Sequence, residues 1–90
     1  MNSGDIVTVL TVAGEFVGKL KNDNIGIAVV LEDPRMLVQN QQGMGFAHGV
    51  CVTGEQSPKS VEFKSYVFVT PTNSEVASAW RQATSGLITA

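Results

Sequence analysis

The sequence predicts a mainly β domain: a small, strongly bent antiparallel sheet of five strands, with an extended hairpin and a C-terminal helix. Three observations lead there. Apolar and polar residues alternate with a period of two in several separate runs, the spacing of strands that keep one face in a core. The first three runs are cut by two short turns, Ala13-Gly14 and Asn22-Asp23-Asn24, built from residue types that reverse a chain tightly. After Pro71 the apolar spacing changes to that of a helix.

Residues 1–5 are polar and read as a disordered or capping lead. In the first run Ile6, Thr8, Leu10 and Val12 share a face, with Val7, Val9 and Thr11 on the other. In the second, Phe16, Gly18 and Leu20 alternate with Glu15, Val17, Lys19 and Lys21. The third sets Ile25, Ile27, Val29 and Leu31 against Gly26, Ala28, Val30 and Glu32. Pro34 cannot donate to a sheet, so Asp33-Pro34 marks a bend, bulge or edge in a long third strand that resumes at Arg35 to Gln39. Asn40-Gln41-Gln42-Gly43 is a turn, and the loose alternation of Phe46, His48, Val50 and Val52 reads as the second arm of a hairpin over residues 36–52. Residues 54–60, rich in Gly, Ser and Pro, form a loop. Val61 to Phe63 and Tyr66 to Val69 are two further short strands around Lys64-Ser65.

Residues 71–90 make a helical tail on a single domain spanning 1–90. The helix runs from about Ser74 to Ser85, capped by Thr72 or Ser74, with Glu75 in its first turn and Gly86 at its stop. Val76, Ala79, Trp80, Ala83 and Leu87 follow helical spacing. Trp80 then lies on the sheet or a neighbouring subunit, or plugs the open end of its own barrel. Gly18 carries a second structural message. A glycine inside a strand marks a sharp bend or a close backbone approach, and a bend in a central strand is what curls a small sheet into a barrel. The plainer reading is a glycine tolerated in a flat sheet.

A chain of 90 residues with 43% hydrophobic and only 16% charged residues makes one domain with a small core and sparse surface charge. Valines on both faces of the first and third runs point the same way, to apolar surface covered by further copies of the chain. The net charge of −2 excludes a general polyanion binder, and no basic cluster exceeds the Lys19/Lys21 pair. Cys51 is the single cysteine, which fits a reducing, cytoplasmic setting. The first residues have no signal-peptide pattern, and the longest apolar run, Ile27 to Leu31, is too short to span a membrane.

Catalytic chemistry has little to stand on, and no catalytic residue, metal ligand or cofactor is expected. His48 is the one histidine and sits among glycines, without a Ser/His/Asp or Cys/His arrangement in sequence. One His and one Cys leave a metal site to be completed by carboxylates. The glycines from Gly43 to Gly49 lack the dinucleotide spacing and no helix follows them. Gly49 and Gly54 have the separation of a phosphate loop, but Glu55 stands where a lysine is needed.

Residues 12–20, Val-Ala-Gly-Glu-Phe-Val-Gly-Lys-Leu, followed by Asp23, resemble the first signature of Sm-like proteins. Gly14 stands at the turn, Gly18 and Leu20 form the Gly-x-Leu, and Asp23 lies in the next turn. The spacing is one residue tighter, and the usual Met-Asn of the third strand is absent. The run from Phe63 to Phe68 is similar to the second signature, with Lys64 for Arg and Ser65 for Gly. The resemblance implies a divergent member with the five-stranded Sm-like barrel and a homo-oligomeric ring of about five to seven subunits. In that arrangement the fourth strand of one subunit pairs with the fifth of the next, here through Val61, Phe63, Tyr66 and Phe68. It also implies single-stranded RNA at the ring's pore, bound by Asn22, Asp23 and Asn24 of one turn and Lys64 and Ser65 of another. Asn side chains can read a base edge, although no aromatic residue in the first turn offers stacking, and Asn22-Asp23-Asn24 is equally a good turn on its own. The alternative is a structural or adaptor ring that keeps the fold without a nucleic-acid ligand.

Overall fold

The computed structural model describes residues 1–21, 28–51 and 53–85. They form β1 (Ile6–Thr11), β2 (Gly14–Leu20), β3 (Val29–Asn40), β4 (Gly43–Phe46), β5 (Ser60–Phe63), β6 (Phe68–Pro71) and α1 (Ser74–Thr84). The strands make one antiparallel sheet in the order β4-β3-β2-β1-β6, with β5 also on β3. The sheet has six strands and is not closed, where the sequence led us to expect a five-stranded barrel. The expected second hairpin arm accounts for the extra strand. It ends at Phe46, and residues 47–51 and 53–59 lie outside the sheet before β5 rejoins β3, so β3 is flanked on that edge by two short strands in tandem. Val52, placed in that arm by its spacing, lies outside the described residues.

Pairing fixes which side chains share a face, because directly opposed residues project together. Val7 pairs Gly18, Val9 pairs Phe16, Leu20 pairs Leu31, and Val29 pairs Phe63. This is the core face: Val7, Val9, Leu20, Val29 and Leu31 are fully buried, with Phe63, Tyr66 and Val69 packed against them. The other face carries Ile6, Thr8, Leu10 and Lys19 on β1 and β2, together with Val17, which opposes Arg35. Val17 and Arg35 are nevertheless buried, because α1 packs on this outer face against β2.

The centre of the sheet holds one irregularity. Val17 opposes Arg35 but Lys19 opposes Glu32, so β3 carries an extra residue across from Gly18. Asp33 takes it up in the left-handed region, φ 50°, and Pro34 beside it is fully buried. A Cβ on Gly18 would lie 3.0 Å from Leu31 Cβ and 3.1 Å from the Glu32 carbonyl, so the glycine is there for close approach. Asp33 also anchors its surroundings: its N–H donates to the Lys59 carbonyl at 2.9 Å, and its carbonyl accepts from Trp80 Nε1 at 2.9 Å.

The helix begins one residue away from either expected cap. Asn73 is the N-cap, its Oδ1 accepting the Val76 N–H at 2.9 Å. Its buried stripe is Ala77 and Trp80, while Ala79 and Ala83, expected on that stripe, are more open; Gly86 and Leu87 lie outside the described residues. Trp80 lies on the outer face of the sheet, where its ring nitrogen finds the Asp33 carbonyl at the bulge. The polar lead is also tied down, as Gly4 N–H donates to Leu20 O and Leu20 N–H to Asp5 O.

Two substitutions test this centre. Gly18→Val forces a branched side chain against Leu31 and should lower unfolding free energy by about 1–3 kcal/mol in urea titration. Trp80→Phe keeps most of the packing and loses the bond to Asp33, so a drop of about 1 kcal/mol is expected in the same titration. Equal midpoints for wild type and Trp80→Phe would show that this bond does not fix the helix's position.

Candidate functional site

The turn between β5 and β6 is short and held at both shoulders. Phe63 ends β5 with its ring 5.2 Å from that of Phe16, tilted by 48°, and Tyr66 packs against the core just beyond. Between these half-buried anchors Lys64 and Ser65 are exposed. Fixed aromatic shoulders leave a short turn little freedom, so the Lys64 ammonium is presented from a defined point at the sheet's end.

The same end of the sheet receives the chain on either side of the first expected turn. Leu20 opposes Leu31, Lys21 N–H donates to the Val30 carbonyl at 2.9 Å, and Phe63 opposes Val29. Lys21 and Ala28 therefore emerge where Lys64 follows β5, and Lys21 is exposed. Asn22, Asp23 and Asn24 themselves lie outside the described residues.

The residues expected at a subunit interface separate into two kinds. Val61 opposes Leu31 on the core face and is half-buried, as are Phe63 and Tyr66. Phe68 opposes Leu10 on the outer face and is 50% exposed, with Val67 beside it at 60%. Phe63 and Tyr66 thus pack within their own chain, and Phe68 is the one with surface to offer.

Residues 47–51 and 53–59 dock outside the sheet on the kink of β3. Ala47 N–H donates to Met36 O, Met36 N–H to Gly49 O, and Ser57 N–H to His48 O. A Cβ on Gly49 would come within 2.9 Å of the Glu55 carbonyl, so this closure needs glycine. The loop encloses a cleft of about 170 Å³ lined by Met36, His48, Cys51, Glu55 and Gln56. His48, Cys51 and Glu55 are exposed, and among the described residues no group of three or more His, Cys, Asp or Glu is placed to hold a metal ion.

One feature of the surface escaped the sequence reading. Leu37 pairs Phe46, Gln39 pairs Met44, and both pairs project on the outer face beside α1. With Val76, Ala79 and Glu75 of the helix, Leu37, Met44 and Phe46 line a mostly apolar groove of about 180 Å³. Of its lining residues outside the helix, the hairpin reading named only Phe46 in the alternation, without a partner for it.

Compared with protein-family models, curated proteins and solved structures, the chain matches none. Among the described residues, no helix is long and apolar enough to cross a membrane.

The two phenylalanines should separate experimentally. Phe63→Ala removes a ring from the core and should cost about 3–5 kcal/mol of stability. Phe68→Ala, at a half-exposed site, should cost under about 1 kcal/mol when measured by chemical denaturation of dilute protein. A larger loss from Phe68→Ala than from Phe63→Ala would reverse the assignment of the two faces.

Proposed function

We propose that the chain is a divergent Sm-like protein that assembles into a homo-oligomeric ring of about five to seven subunits and binds single-stranded RNA weakly at the pore. The observation that carries this reading is the strand order. The first three strands form a meander, β5 joins β3, and β6 returns across a short basic turn to lie against β1. This order puts β5 and β6, the strands that meet between subunits in the arrangement the resemblance implies, at edges of an open sheet, where a neighbour can add.

In such a ring each subunit contributes one copy of Lys64-Ser65 to the axis, together with Asn22, Asp23 and Asn24. Repetition changes the electrostatics. One lysine matters little on a chain of net charge −2, but a ring of them is a local positive collar. Asp23 opposes the collar if it faces the axis, and spares it if it turns inward to accept backbone amides. No aromatic side chain stands in either expected turn to stack a base, which forgoes roughly 1–3 kcal/mol per base. Weak, salt-sensitive binding follows, in a reducing, cytoplasmic setting that suits the exposed Cys51.

The test is a titration of oligo-uridine and oligo-adenosine at low and moderate salt, with wild type and Lys64→Ala. Micromolar binding that weakens with salt is expected. Lys64→Ala should weaken it further and flatten the logarithmic salt slope by about 0.7 for each phosphate no longer neutralised. Absence of binding by wild type at low salt would leave the structural or adaptor ring as the function. Binding unaffected by Lys64→Ala would move the site away from the β5–β6 turn.

A further inference from the structure

The hairpin of β3 and β4 ends the sheet without the usual protection of an open edge. Residues 36–54 contain no Asp, Glu, Lys or Arg, and neither a proline nor a bulge interrupts β4. Its backbone is open as well. Ala47 N–H donates to the Met36 carbonyl, so Met36 turns its backbone groups toward the β4 side, and with a period of two Val38 and Asn40 do the same. Their partners Gly45 and Gly43 face back to β3, which leaves the N–H and C=O groups of Met44 and Phe46 directed along the free edge. Gly45 is the second observation. Among the described residues nothing needs a glycine there: its φ is not left-handed, the ladder is regular across it, and a Cβ would meet nothing within 4 Å. A glycine inside a strand weakens it, and one without an internal reason marks the close approach of another backbone.

We propose that β4 pairs with β4 of a second copy, antiparallel about a two-fold axis through Gly45. The register follows from which groups face outward. Met44 of each copy opposes Phe46 of the other, so the outward N–H and C=O groups of both residues are satisfied in two hydrogen-bonded pairs. Gly45 then opposes Gly45 in a non-hydrogen-bonded pair, where Cα atoms come closest, about 4.5 Å apart, and neither copy has a side chain. An axis perpendicular to the sheet keeps the two outer faces on one side, so the Met44 thioether of one copy lies beside the Phe46 ring of the other. The apolar grooves next to these residues run together across the seam. Glu75 borders the groove from α1, which packs on β2, whereas the added strand lies beyond β4 on the opposite side, and the carboxylate keeps its exposure.

The occupant is a second copy of this chain because the edge is complementary to itself. Reversing residues 44–46 about Gly45 returns the same order of backbone donors and acceptors, and sets Met44 against Phe46 at both ends. Such a contact is isologous, so it saturates at two copies and does not grow into a filament. It is separate from the proposed ring, which joins β5 to β6. If the ring does not form, the pair is a dimer; if it does, the pair joins one ring to a second through β4. Two four-residue strands supply only part of the roughly 800 Å² per partner of a standard stable interface, so the pairing is weak and concentration-dependent.

The experiment combines light scattering of wild type and Gly45→Lys over a concentration series with cross-linking in a Cys51→Ser background. Like charges set directly opposite on the axis repel, so at high concentration Gly45→Lys should lower the mass by about half, from dimer to monomer or from paired to single rings. Its urea midpoint in dilute protein should stay close to that of wild type, because the added side chain enters open space. Under mild oxidation Gly45→Cys should form a disulfide-linked dimer, since the close antiparallel pair lies within the reach of a disulfide. Val12→Cys, fully exposed in the β1–β2 turn, should form little. A mass unchanged by Gly45→Lys, or a Gly45→Cys variant that links no faster than Val12→Cys, would overturn the β4 pair; an unchanged mass of about five to seven subunits would do so and leave the ring standing. A urea midpoint lowered as far by Gly45→Lys as by Phe63→Ala would show that the glycine serves its own fold, and would overturn the pair as well.

Discussion

One strand has three partners, and the rest of the described structure follows from how it serves them. β3 gives one edge to β2 from Leu31 to Met36 and divides the other between β5 and β4. The division falls at Asp33-Pro34, opposite Gly18, where the register with β2 slips. A proline in the middle of a regular sheet would strand a carbonyl. At a bulge it removes an N–H from the place where the ladder is already interrupted. The left-handed Asp33 then sends its N–H to Lys59 and its carbonyl to Trp80, so the loop end and the helix are fastened at the point where β3 changes partner.

The helix changes the character of the outer face. Without it, Val17 and Arg35 would stand in water on the back of a small sheet; beneath it they are buried, and the Arg35 guanidinium donates to the Pro34 carbonyl at 3.1 Å. A half-covered sheet face also has a border, and the groove beside β4 is that border. In this way a feature that stabilises the fold also creates an apolar surface at its edge. A chain with 16% charged residues has few charged side chains with which to cover such a surface.

The loop over residues 47–59 has a different standing. Its backbone is fixed to β3 at Met36 and Asp33 and closed on itself through Gly49 and Ser57, and His48, Cys51 and Glu55 border its cleft while exposed to solvent. Lys64, exposed between Phe63 and Tyr66 at the sheet's end, is a single charge, and the proposed ring would multiply it around an axis.

The sequence by itself determined the local pattern. Alternation in residues 6–20 and 29–39 marked the strands and sorted their side chains onto two faces, because burial of one face with period two leaves a direct trace in residue order; which face is the core was decided by the packing. Turn residues at Gly14 and at Asn40 to Gly43 marked the reversals, and the change of spacing after Pro71 marked the helix to within a residue or two. It also singled out Gly18 and Pro34 as points where a regular strand fails. Only the tertiary structure decided what those failures do together, because Gly18, Asp33 and Trp80 are far apart in the chain and meet through pairing. The same holds for the partition of β3 between β4 and β5, for Asn73 as the cap, and for Trp80 on the outer face. Residue order shows whether a side chain must be hidden; which neighbour hides it, and which edge stays open, depends on contacts between segments that no local period encodes.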